Sequence, residues 1–373
     1  MIYLILLFPI IWAWITKMIW PHKICWKELG LQLVIITVVC VGIVAMGRSS
    51  AMTDTEVWND EVVEKTRETV SCEHSYQCNC VTIPTDSKGG SITTCQTCYD
   101  HDNDFDWNVY ASTGIGVRIN RIDERGVKEP PRWTAARIGD PFSSSRTYTN
   151  YIRASSGSLF NDSEFSTEEF AGLIPPYPDK IYDYYRKDSV VSMGVPLKDF
   201  KEWNSAINDI NKKLGPKKKV NLSTIFVKSN NSAYIHALEK EWVGGKKNDV
   251  VVVFGVPNYP KIDWVRIMSW DNEHLKANLR ANLEKFKELN EDTVQLAPAV
   301  MKANIEKHYK KMNMEDYEYL KDNIEPPTWV LILAAIVSIG GSIGLTFFFY
   351  KNDVFGTERK TWNKTSGDMK RRW

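Results

Sequence analysis

The sequence predicts an α/β protein in which three transmembrane helices flank an exported region. That region is made of a small cysteine-stapled β-rich part and an α/β sandwich. Three observations predict this: uncharged apolar runs at both ends of the 373 residues, one segment holding five of the seven cysteines, and alternating helix and strand patterns after residue 180. The net charge of +1 comes from well-mixed acidic and basic residues, which excludes the strong positive field of a nucleic-acid binder.

Residues 1–20 carry one charge, Lys17, whereas residues 29–47 and 326–350 carry none. A span takes roughly 20 apolar residues, so the second and third runs qualify. The first run lacks the basic start and small-residue cleavage site of a signal peptide. Its Trp12, Trp14 and Trp20 read instead as an interfacial belt, and it is expected to be a third span. The loop 21–28 holds Lys23 and Lys27 beside Lys17. The tail 351–373 holds Lys351, Arg359, Lys360, Lys364, Lys370, Arg371 and Arg372. Three spans place loop and tail on one side, and the positive-inside rule makes that side cytoplasmic. The expected location is therefore an inner (cytoplasmic) membrane, with residues 48–325 exported to a periplasm and the C-terminus inside. Lipids are the first expected partners, with the basic tail against anionic headgroups. Gly340 and Gly344 share one face of the last span, a small-xxx-small pattern that points to homo-oligomers or helix packing.

Within residues 48–179, Thr53 and Glu56 have capping-box spacing and predict a helix to about Thr69. The cysteine segment follows, its halves separated by Lys88-Gly89-Gly90. DWNVYAST and GVRINRID around Gly114-Ile115-Gly116 predict a hairpin. Residues 130–178 read as an irregular connector, with GLIPPYPDK at 172–180 as the boundary to a second part, 180–325. There, Leu197, Phe200, Trp203, Ile207, Ile210 and Leu214 recur at helical spacing and predict a helix stopping at Gly215-Pro216. VNLSTIFV, DVVVVFGV and KIDWVRIMSW predict strands, the second being apolar throughout as in a strand buried on both faces. A helix around Tyr234 to Trp242, one through Leu275 to Phe286 capped by Asp271, and a long one from Thr293 to about Asn323 complete the pattern.

The segment AYIHALEKEWVGGKKNDVVVVFGV, with a helix and strand before it and a strand and paired helices after it, resembles the TPM domain. The resemblance covers roughly residues 180–290 and departs from the family's Asp-Asn-Gly turn, since Asn248-Asp249 stand in reversed order without the glycine. It implies the α/β sandwich. It also implies that carboxylates near strand ends, here Asp249 and Asp271, would serve the weak metal-dependent phosphatase activity credited to some relatives. The bland readings of the two are a strand-entry residue and a helix cap. The upstream stretch VSCEHSYQCNC…CQTCYDHDNDFDWNV is similar to uncharacterised membrane proteins of tailed bacteriophages. That likeness carries no activity.

Cys78-x-Cys80 and Cys95-x-x-Cys98 form two close pairs that can converge on structural Zn2+, with Cys72, His74 and His101 near enough to substitute. Disulfides compete with that reading in an oxidising compartment, and a redox pair at Cys95 and Cys98 is a third option. Asp102, Asp104 and Asp106 lack the glycine and terminal glutamate of a calcium loop and read as a solvated turn. Gly244-Gly245-Lys246-Lys247 lacks phosphate-loop spacing, Gly-x-Ser-x-Gly spacing occurs only inside the last apolar run at Gly340 to Gly344 and is no strand-to-helix elbow, and His236, His274 and His308 stand alone on helical segments. The expected function is a non-enzymatic, membrane-anchored interaction protein. The alternatives are a tethered phosphatase using Asp249 and Asp271 and, lower, an exported redox or metal sensor.

Overall fold

A computed structural model describes residues 2–84, 91–155, 167–186, 188–352 and 354–355. In chain order the elements begin with α1 (Ile2–Ile19), α2 (Trp26–Met52), β1 (Thr53–Ser71), β2 (Ser75–Pro84), β3 (Ser91–Tyr99), β4 (Asn103–Ala111) and β5 (Gly116–Ile119). Then come α3 (Pro131–Ala135), β6 (Pro141–Thr149), α4 (Tyr151–Ala154), β7 (Ile181–Tyr182), β8 (Tyr185–Arg186) and β9 (Val190–Met193). The last are α5 (Phe200–Lys218), β10 (Asn221–Val227), α6 (Tyr234–Glu241), β11 (Asp249–Gly255), β12 (Trp264–Met268), α7 (Glu273–Leu283), α8 (Glu291–His308) and α9 (Thr328–Lys351). They fall into two units, one holding α1, α2, α4 and α9 and the other the strands and remaining helices.

In the helical unit, α2 and α9 are long and apolar enough to cross a membrane, while the apolar stretch of α1, Tyr3–Ile19, is shorter. All three helices pack together through a few polar bonds in an otherwise apolar interface. Trp12 Nε1 donates to Thr346 Oγ1 at 3.0 Å, Gln32 Nε2 to the Ser342 carbonyl at 3.0 Å, and Ser338 Oγ to the Ile5 carbonyl at 2.8 Å. The buried face of α9 is Val330, Ala334, Ser338, Ser342, Thr346 and Phe349, mostly small residues four apart. Gly340 and Gly344, expected to pack, have open space where a Cβ would stand, and Gly341 meets Ile36 instead. Lys23 Nζ donates to Tyr350 Oη at 2.6 Å, so the α1–α2 loop and the end of α9 share one end of this bundle. The tail arginines and lysines from Arg359 onward lie outside the described residues, as does Lys88-Gly89-Gly90. Removing a polar bond inside such a bundle costs about 0.6–1.7 kcal/mol. Gln32→Leu is expected to lower the unfolding free energy in detergent by that much, and an unchanged free energy would show that the bond contributes nothing.

In the second unit, β9, β10 and β11 run parallel and β12 antiparallel, in the order β12-β11-β10-β9. Every residue of β10 and β11 is buried, as the apolar run DVVVVFGV predicts for a strand covered on both faces. Alternate residues supply the two cores. Leu222, Phe226, Val250, Val252 and Phe254 meet Trp203, Ile207 and Leu214 of α5 and Leu279 and Met301 of α7 and α8. Ile225, Val227, Val251 and Val253 meet Tyr234 and Leu238 of α6 and Trp242 just after it. This is the expected α/β sandwich.

A second sheet, in the order β5-β4-β1-β6, carries the cysteine segment. Residues 53–71 are a strand, not the expected helix. Glu56 does not cap a helix: its carboxylate is buried and accepts from Trp58 Nε1 at 2.7 Å and Lys311 Nζ at 3.1 Å. The strand state is chosen by pairing with β4, from Val62 opposite Ala111 to Ser71 opposite Asn103. Three other boundaries moved. Helix α5 continues through Gly215-Pro216 and closes at Lys219, which has φ 54° and donates its N–H to the Gly215 carbonyl at 2.7 Å. The cap position of α7 is Asn272, and Asp271 precedes it with φ 50°. The long C-terminal helix ends at His308, with a 3₁₀ stretch Met314–Asn323 after it.

The two sheets join through buried amides. Asn59 Nδ2 donates to Asn221 Oδ1 at 3.0 Å, and Asn221 Nδ2 to Asp249 Oδ1 at 2.8 Å. Asn248 Nδ2 donates to the Val57 carbonyl at 2.7 Å. Gly215 lies so near Asn59 that a Cβ would overlap the Asn59 carbonyl oxygen. These contacts join residues 55–148 to residues 159–314 within the second unit.

Candidate metal centre

The site grows out of the β1–β4 pairing. The ladder ends at Ser71 opposite Asn103, and the chain leaves the sheet at Cys72. It runs out along β2, returns along β3 with Ser75 opposite Tyr99, and re-enters the sheet at β4. The crossing is narrow, and the Asp100 N–H donates to the His74 carbonyl at 3.1 Å. Cys72, His74, His101 and Asp104 therefore face one another at a neck between sheet and ribbon. Their ligand atoms all lie within 4.8 Å of one another.

The neck is built to fix these groups. Asp104 has no solvent-exposed surface and Cys72 is buried. The Glu73 N–H donates to Asp104 Oδ2 at 3.0 Å, and Arg121 Nη1 donates to the same oxygen at 3.1 Å. Oδ1 faces His101 Nε2 in a short contact. Cys72 Sγ accepts from the His74 N–H at 3.3 Å and lies 3.9 Å from His74 Nδ1. The other imidazole nitrogen of His74 is 3.8 Å from Glu124 Oε1. Burial pushes the Asp104 carboxyl up, but the Glu73 N–H, the His101 ring and the Arg121 guanidinium outweigh it and hold the carboxyl at about 2. Asp104 is thus a carboxylate at neutral pH. Asp106 accepts from Arg121 Nη2 at 2.6 Å and Arg118 Nη1 at 3.2 Å. The expected solvated turn at Asp102, Asp104 and Asp106 is corrected at the last two, which are buried ion-paired residues of β4.

Of the two leading readings of the four cysteines, zinc ligands or disulfides, the structure has the disulfides. Cys78 pairs with Cys98 and Cys80 with Cys95, both within the β2–β3 ribbon. Cys80 and Cys95 meet beside the register shift between Cys78 and Val81, Cys78 and Cys98 reach across the ribbon diagonally, and a disulfide sulfur offers no thiolate to a metal. The substitutes Cys72, His74 and His101 come together, joined by Asp104, which the sequence reading did not place among the ligands. Period-two alternation through Asp102, Asp104 and Asp106 is the signal that would have put Asp104 on the inner face of a strand.

The two carboxylates raised by the TPM resemblance lie outside this centre. Asp249 is buried at the start of β11, where it accepts from Tyr177 Oη at 2.9 Å, Asn221 Nδ2 at 2.8 Å and the Lys246 N–H at 2.8 Å. Those bonds fix a turn and a strand entry. Asp271 is exposed ahead of α7. With four protein groups within reach of one another, the neck offers one thiolate, two imidazoles and one carboxylate, enough to fill a four-coordinate site without an open position.

No family model matches the chain, and neither a curated protein nor a solved structure matches it.

Proposed function

We propose that the chain is a non-enzymatic membrane-anchored interaction protein that displays the β2–β3 ribbon to a protein partner on the exported side of a membrane. The observation that carries this reading is the ribbon itself. A two-stranded ribbon with almost no core is marginal in water. This one is cross-linked twice, and its apolar side chains still face solvent. Val81 and Ile83 are each 60% exposed and Ile92 is 58% exposed, with Ile83 directly opposite Ile92. Tyr76 and Tyr99 are also more than half exposed. Covalent cross-links that fix an apolar surface outside any core suit recognition, because the strands are ordered before the partner arrives.

The anchor is the bundle of α1, α2 and α9. The Trp12 and Ser338 bonds favour retention of α1 as a third span beside α2 and α9. The lysines of the α1–α2 loop support a cytoplasmic loop, and the two disulfides support an oxidising compartment for the rest. The order of helices and strands from α5 to α7 supports a TPM-like sandwich as the platform. The open faces of Gly340 and Gly344 leave a close-approach surface for a second copy of α9.

The test is a photo-crosslinking residue at Ile83 or Ile92 of the full chain in its native membrane. A discrete protein adduct, lost on Val81→Lys with the disulfides intact, is the expected result. Adducts only to lipid or water at both positions would overturn the reading.

A further inference from the structure

We propose that Cys72, His74, His101 and Asp104 bind one Zn2+ ion, which fixes the neck through which the ribbon joins the sheet. The disulfides cannot do this. Both lie within the ribbon and tie β2 to β3, leaving the crossing between Cys72 and Asp104 without a covalent link. The four groups span that crossing in pairs: Cys72-x-His74 leaves the sheet, and His101-x-x-Asp104 returns to it. One ion bound to all four joins the outgoing chain to the incoming one.

The chemistry of the set selects the metal. A thiolate and a carboxylate bring two negative charges, which a divalent ion neutralises in a buried place. Two imidazoles and a thiolate favour zinc over calcium or magnesium, which take oxygen ligands. Tetrahedral zinc at its usual bond lengths sets ligands roughly 3.3–3.8 Å apart. The Cys72 Sγ to His74 Nδ1 distance of 3.9 Å lies close to that spacing. The outer groups are in place as well. Glu124 faces Nε2 of His74 and leaves Nδ1 to the metal, while Glu73 N–H and Arg121 occupy Oδ2 of Asp104 and leave Oδ1. Such partners orient the ligands and fix the imidazole tautomer.

The experiment uses the full chain in detergent with its disulfides intact, stripped by chelator and titrated with Co2+. One Co2+ per chain is expected, with tetrahedral d–d bands and a thiolate charge-transfer band, both removed by one equivalent of Zn2+. Arg121→Ala, which frees Asp104 Oδ2, is expected to weaken Co2+ binding about 10–100-fold. Cys72→Ser is expected to abolish the charge-transfer band, whereas the Cys78→Ser/Cys98→Ser pair keeps it. The wild-type chain provides a readout that needs no variant. Alkylation of Cys72, followed by peptide mass spectrometry, is expected to slow at least about tenfold on adding Zn2+. A charge-transfer band that survives Cys72→Ser, or Cys72 alkylation indifferent to Zn2+, would overturn the proposal. Partner adducts at Ile83 are a separate measurement, so the centre and the docking reading fail independently.

Discussion

Replacing Trp203 by alanine is expected to cost about 3–5 kcal/mol of unfolding free energy, the largest single loss among these substitutions. The indole is fully buried on α5, with its ring centroid 5.0 Å from Phe226 and 6.0 Å from Phe254, themselves stacked at 5.1 Å. Truncation opens a cavity against two fully buried strands that have no freedom to collapse into it. Its Nε1 is buried without a hydrogen-bond partner among the described residues. Trp203→Phe should therefore lose only volume and contact, at less than half the cost. Urea unfolding of the two variants with unchanged m-values checks both numbers. A Trp203→Ala loss below about 1 kcal/mol would mean that the aromatic cluster is not the centre of this core.

The second large effect belongs to the disulfides, and it is not additive. The cross-links are nested: Cys80–Cys95 spans 15 residues and Cys78–Cys98 spans 20. Closing a 15-residue loop removes about 3 kcal/mol of unfolded-state entropy. Once the inner bond is made, the outer closes only short segments and adds little. Losing the outer pair alone should leave the ribbon amides protected from hydrogen exchange. Losing all four cysteines should expose them, because the ribbon buries too little apolar surface to order itself. The α/β core should keep its melting temperature in both cases. A ribbon that stays protected without either bond would show that something else orders it.

Local signals carried much of the fold into the sequence. The Val-rich run of β11, the alternating β4–β5 hairpin and the 3.6-residue rhythm of α5 are each set by nearest neighbours, and each was legible. What escaped was set by distant partners. Residues 53–71 carry a plausible cap, yet pairing with β4 some forty residues away makes them a strand. Proline at 216 reads as a stop, but Pro216 lies in the closing turn of α5, where the missing N–H removes one bond and the helix is nearly complete. At the neck, composition pointed to thiols and imidazoles but not to their partition. Only the ribbon register, with Tyr76 facing Cys98 and Gln96 facing Cys78, shows four sulfurs joined in two pairs within the ribbon and leaves Cys72 for the histidines and Asp104. Asp104 was read by its neighbours as solvated, and it became buried because Arg121 and the Glu73 N–H come to it from other parts of the chain.

The nesting of the two bonds has a consequence for proteolysis. A protease that cuts the backbone once anywhere between Cys80 and Cys95 severs the peptide chain but releases nothing, because both fragments stay tied through two sulfur bridges. A clipped molecule would run as a single species without reductant and as two with it.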